Sequence, residues 1–219
     1  MKTTTKALAA TLVGSGFLFA GAANAAAVTG GITTVEVTVD LGGAGVTPGL
    51  LGTASLDDDA DGLVINFPIT GGDLDPETLA GTIEHVGSGL SLTANGTTVN
   101  LTDFTIDTVA SQLTGVVAID GGASLGRVAI FDFDLTGLTA GEITDTDNPL
   151  ISLLLTSAAA GALADALAIP ALATLAGAEF GLAATAPSLD VGSEVPLPGA
   201  ALLFATSAAG FVARRRAKA

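Results

Sequence analysis

Leu90-Ser91-Leu92-Thr93-Ala94-Asn95-Gly96-Thr97-Thr98-Val99-Asn100-Leu101 decides the fold class. Asn-Gly accepts positive φ at both central positions of a two-residue turn, so it closes a hairpin. Such a turn pairs Ala94 with Thr97, Leu92 with Val99 and Leu90 with Leu101. The apolar residues then share one face, while Ser91, Thr93, Thr98 and Asn100 share the other. Turn chemistry and period-two alternation agree on a single register.

Runs of the same kind flank this hairpin. Residues 30–40 carry Ile32, Val35, Val37 and Val39 among Thr33, Thr34, Glu36, Thr38 and Asp40, and a glycine-rich loop follows. Residues 50–56 and 62–70 read as short strands; Pro68 puts the second at an edge or near its end, and Gly71-Gly72-Asp73 closes it. Residues 79–86 form a strand with His85, the sole histidine. Downstream, Phe104 and Ile106 alternate with Asp103, Thr105 and Asp107, and residues 113–119 form another strand. In residues 127–135, Ala129, Phe131, Phe133 and Leu135 face one way, and Ile130, Asp132 and Asp134 the other. Roughly seven to nine strand-like runs at this spacing predict a mainly β domain, a sandwich or barrel-like antiparallel sheet.

Asp145-Thr146-Asp147-Asn148-Pro149 then reads as a helix start, with Asn148 as N-cap and Pro149 at the first helical position. An Ala/Leu-rich helix is expected over residues 150–168, ended by Ile169-Pro170. Asp165 interrupts its apolar run, so it packs against the sheet rather than spanning a membrane. Its alanines and Gly161 would allow close approach. Residues 177–186 supply a final strand, and residues 187–194 a polar spacer.

Both ends of the chain carry addresses. Lys2 and Lys6, an apolar stretch over residues 7–22 and Ala23-Asn24-Ala25 make a secretory signal cut before Ala26. At the other end Val195-Pro196-Leu197-Pro198-Gly199-Ala200 leads into an apolar run to Ala213, followed by Arg214, Arg215, Arg216 and Lys218. Residues 195–213 just reach a bilayer span, whose low end is about 17 residues. The arginines would anchor the cytoplasmic side.

Motif, hydrophobic helix and terminal arginine cluster together resemble the PEP-CTERM class of sorting signals in its VPLPA-type variant, with Gly199 where that variant usually has alanine. The resemblance covers only these last residues and implies nothing about the fold before them. It implies a secretion translocon and an exosortase-type membrane enzyme as partners, and a membrane-held intermediate before the tail is removed. The protein would then stand at the cell envelope, the cell surface or outside the cell. The expected organisation is a signal over residues 1–25, a β-rich passenger over 26–186, a spacer over 187–194 and the sorting signal over 195–219.

Residues 26–194, passenger and spacer together, keep Arg127 as their one basic residue against all 22 acidic ones, a net charge of −21. Such a surface repels nucleic acid and anionic lipid and favours cations or high salt. With no cysteine, disulfides and thiolate chemistry are unavailable. Asp57, Asp59, Asp61 and Gly62 match positions one, three, five and six of a D-x-D-x-D-G calcium loop, but Pro68 stands where an EF-hand needs a bidentate Glu. An exposed acidic turn or a looser Ca²⁺ site are the two readings of this stretch.

No catalytic set is evident. His85 has no nucleophile motif beside it. Asp132 with Asp134, and Asp103 with Asp107, could pair as carboxylates but also fit the wet face of a sheet. The absence of Trp and Tyr argues against a glycan cleft. Residues 81–115 resemble in texture the β-rich HtaA-type domains of bacterial surface proteins, some of which bind haem. Haem needs an axial ligand such as Tyr or His; tyrosine is absent and His85 is alone, so that activity is not carried over. The expectation is a non-enzymatic exported protein of a Gram-negative envelope or matrix that touches polysaccharide through divalent cations. The alternative is a secreted small-ligand or Ca²⁺-binding module.

Overall fold

The computed structural model describes residues 25–57, 60, 62–120, 122 and 124–191. The secretory signal, Asp59, Asp61, the motif Val195, Pro196, Leu197 and Pro198, the C-terminal helix and the cluster Arg214, Arg215 and Arg216 lie outside the described residues.

The chain forms strands β1 (Ala26–Val37), β2 (Thr47–Gly52), β3 (Ser55–Leu56), β4 (Leu63–Pro68), β5 (Gly71–Leu74), β6 (Gly81–Ala94), β7 (Thr97–Asp107), β8 (Gln112–Ile119) and β9 (Ser124–Asp132). Helix α1 (Ala140–Ile143), strand β10 (Ile151–Leu155), helix α2 (Ser157–Ala166), a 3₁₀ turn (Pro170–Leu175) and strand β11 (Glu179–Asp190) complete it. Every pairing is antiparallel. The sheet closes on itself in the ring β1–β5–β6–β7–β8–β9–β10–β11–β1, so the architecture is a barrel. β2 pairs with β6, and β3 with β4, which also flanks β1. Closure removes most exposed sheet edges.

The hairpin has the register its sequence dictates: Ala94 opposite Thr97, Leu92 opposite Val99 and Leu90 opposite Leu101. Asn95 and Gly96 both have positive φ, 51° and 78°. On the outer face the Thr93 and Thr98 hydroxyls bond to each other at 2.9 Å. Inside, Leu92 and Val99 are buried with Ile65, Leu74, Ile83 and Ile130. Phe67 meets Phe104 edge to face, centroids 5.4 Å apart, a contact worth about 0.5–1.5 kcal/mol beyond its buried area.

Four expectations need correction. Residues 150–168 are not one helix: Ile151–Leu155 is a strand between β9 and β11, and the helix begins only at Ser157. Ile151, Leu153 and Leu155 are buried alternately, and pairing on both edges outweighs the helix-start signal at Asn148-Pro149. The true cap is Thr156, whose hydroxyl accepts from the Ala159 N–H at 3.1 Å and donates to the Ala129 carbonyl at 2.9 Å. Within α2, Ala159, Ala160, Leu163 and Ala164 are the buried face, whereas a Cβ at Gly161 would meet nothing within 4 Å. Gly71–Leu74 is a strand rather than a closing turn; a Cβ on Gly72 would lie 2.1 Å from the Thr82 carbonyl oxygen, so glycine permits close strand approach. Residues 81–86 and 90–94 belong to one long strand, Gly81–Ala94, which starts after Leu79 and Ala80. A bulge near Ile130, where pairing jumps from Leu113–Phe131 to Thr114–Ala129, turns both Ile130 and Phe131 inward.

The two barrel ends differ. At one end Ala27 lies opposite Asp190, so the chain enters and leaves side by side, near the β7–β8 connection and Leu79. The other end holds the Asn95–Gly96 turn and α2, joined by the Asn95 side-chain amide donating to the Leu167 carbonyl at 2.8 Å. Among the described residues no helix is long and apolar enough to cross a membrane.

Candidate functional site

The most distinctive chemistry sits inside the barrel. His85 on β6 is in phase with the inward Ile83 and is 1% exposed. Its Nε2 lies 2.8 Å from the Thr33 hydroxyl on β1, which lies 2.8 Å from the Thr185 hydroxyl on β11. The three side chains thread the seam where β1 and β11 close the ring. Among the described residues Nδ1 has no partner in hydrogen-bond geometry. Burial drives the imidazole pKa down to about 4, against a smaller opposing pull from the Phe104 backbone. The ring is therefore neutral at physiological pH.

His85 borders a void of about 50 Å³ with Phe67, Phe104, Phe131 and Phe180 among its walls. Among the described residues no carboxylate lines this space. Sequence reasoning singled out His85 but missed Thr33 and Thr185. Their phase with Val35 and Ala183 along β1 and β11 was the available signal.

The carboxylate pairs serve local structure instead. Asp103, at φ 52°, accepts from the Gly87 N–H at 2.8 Å and from the Thr102 hydroxyl. Asp107 accepts from the N–H groups of Val109 and Ala110. Asp132 takes the Gln112 side-chain amide at 3.1 Å. The Thr136 hydroxyl, and after it the Thr136 N–H, hold Asp134 below the usual carboxylate range.

Asp57 follows β3, its N–H donating to the Val64 carbonyl at 3.0 Å. With Glu36 and Asp147 it lines a surface hollow of about 370 Å³. Among the described residues no group of three or more His, Cys, Asp or Glu side chains is placed to hold a metal ion; Asp59 and Asp61 are outside that set. Arg127 donates to the Thr105 and Thr114 hydroxyls at 3.0 and 3.3 Å on the outer wall.

No family model matches the chain, and no curated protein aligns with it. The crystal structure of the C-terminal domain of HtaA from Corynebacterium glutamicum is similar to it at 16% identity, covering 75% of this chain and 99% of that domain, with a TM-score of 0.49. A likeness this slight carries no conclusion about what the barrel does.

Proposed function

We propose that the chain is an exported, non-enzymatic protein of a Gram-negative envelope or extracellular matrix, and that its barrel is the cargo of two terminal addresses. One observation carries the reading: the barrel's strands run from Ala26 to Asp190, between the secretory signal and the Val195–Pro198 motif. Removing both addresses costs the barrel no strand. Its two ends also leave side by side, so a C-terminal membrane segment would hold the barrel by one end and present the other. The translocon and an exosortase-type enzyme are the partners in this reading, with matrix polysaccharide as the outside contact. Deleting residues 195–219 should abolish normal sorting in the native host, followed by fractionation of cell envelope and medium. Unchanged surface delivery of that truncation would sink the address argument.

A second reading keeps the Asp57, Asp59 and Asp61 stretch as a looser Ca²⁺ site beside the hollow that Asp57 lines; the described Glu36, Asp57 and Asp147 are not by themselves placed to hold an ion. Thermal unfolding with EDTA, with millimolar Ca²⁺ and with NaCl of matched ionic strength separates binding from screening. A Ca²⁺-specific rise in Tm supports the site; equal rises reduce it to charge screening.

A further inference from the structure

We propose that Asn95 is a site of spontaneous deamidation, and that this modification releases α2 from its end of the barrel. Asn95 and Gly96 are both exposed. Ladder bonding in a two-residue hairpin runs between Ala94 and Thr97 and leaves the Gly96 N–H outside it. A Cβ on Gly96 would meet nothing within 4 Å, so the turn is open on that side. The other four asparagines, Asn24, Asn66, Asn100 and Asn148, precede alanine, phenylalanine, leucine and proline. Asn95 alone is followed by glycine, which has no side chain to hinder attack by its own nitrogen.

The step needs only water. The Gly96 nitrogen gives its proton to solvent and bonds to the Asn95 side-chain carbonyl carbon, closing a cyclic imide. The side-chain nitrogen takes up a proton and leaves as ammonia. Water then opens the ring. Attack at the side-chain carbonyl gives aspartate; attack at the main-chain carbonyl gives isoaspartate, whose backbone runs through the former side chain.

The docked helix restrains that step. The Asn95 amide donates to the Leu167 carbonyl at 2.8 Å, which pins it toward α2 and away from the Gly96 nitrogen. Leu167 is the C-cap of α2, so the bond satisfies one of the carbonyls a helix leaves unpaired at its end. Beneath α2, Ala159 and Leu163 face Val99, Leu101 and Val117 across a void of about 70 Å³. A gap there forfeits contact energy between helix and sheet, which favours local release of α2. Once the amide has become a carboxylate it has no proton to donate to Leu167, and its charge stands at the negative end of the helix dipole. Deamidation therefore removes the latch that slowed it.

The test incubates the full chain in mildly alkaline buffer and follows it by peptide mapping with mass spectrometry, with isoaspartate labelled by an isoaspartyl methyltransferase. The peptide holding Asn95 should gain the mass of an amide-to-acid exchange before any other asparagine converts, and isoaspartate should appear there. Thr156→Ala removes the side-chain cap of α2 and should speed conversion several-fold. Asn95→Asp tolerates the left-handed turn and stands for the aspartate product. In it, hydrogen exchange over residues 157–167 should quicken several-fold, while exchange in β6 and β7 stays as in the parent. If Thr156→Ala does not fold, Asn95→Asp decides. No conversion at Asn95, earlier conversion of another asparagine, an unchanged rate in a folded Thr156→Ala, or unchanged exchange of α2 in Asn95→Asp would overturn the proposal.

Discussion

His85 is where a single residue most strongly couples structure to conditions. The unfolded chain titrates this ring near its ordinary value of 6.5, and the folded barrel holds it near 4. The unfolded state therefore binds more protons between these values, and stability falls as pH drops from about 6.5 toward 4. The shift corresponds to a loss on the order of 3 kcal/mol. Denaturant unfolding across this window should show that slope, and His85→Gln should flatten it; an unchanged slope would remove His85 as its cause. The carboxylates act in a lower window. Thr78 and Glu77 backbone N–H groups lower Asp75, and the Thr139 N–H lowers Glu142. What they contribute is lost only as pH falls through their depressed pKa values.

Among the elements, the β6–β7 hairpin was legible because everything that fixes it is local: Asn95-Gly96 sets the turn, and alternation sets the faces. What the sequence did not disclose is that the turn also anchors α2, since the bond from Asn95 to Leu167 joins residues far apart in the chain. Asn95→Ala should cost about 2 kcal/mol, combining the left-handed turn penalty with one lost hydrogen bond. Asn95→Gly keeps the turn and should cost about 1 kcal/mol. Equal losses in chemical denaturation would mean that the bond to Leu167 contributes nothing. The segment 150–168 was misread for the opposite reason. Ile151, Leu153 and Leu155 fit either period over so short a run, and only the edges of β9 and β11 select a strand. The same holds for β5, whose glycines look like a turn until β1 and β6 lie against them. Helix α1 carries a Thr139–Glu142 capping box that the acidic stretch after it overshadowed.

For the whole molecule, the mainly β antiparallel class was readable from strand spacing, but closure was not, because it depends on β1 meeting β11 at opposite ends of the passenger. Nor was the enclosed His85–Thr33–Thr185 chain, which exists only once that seam forms. The last strand runs to Asp190, into the stretch read as spacer, because Pro187, Ser188, Leu189 and Asp190 pair with the start of β1. In the function proposed above, a barrel is delivered whole by two addresses that it then loses. Intact-mass measurement of the protein recovered from the envelope or medium of its native host tests this most directly. The recovered chain is expected to begin at Ala26 and to lack Arg214, Arg215 and Arg216. A mass retaining residues 1–25 or the arginine cluster would contradict it.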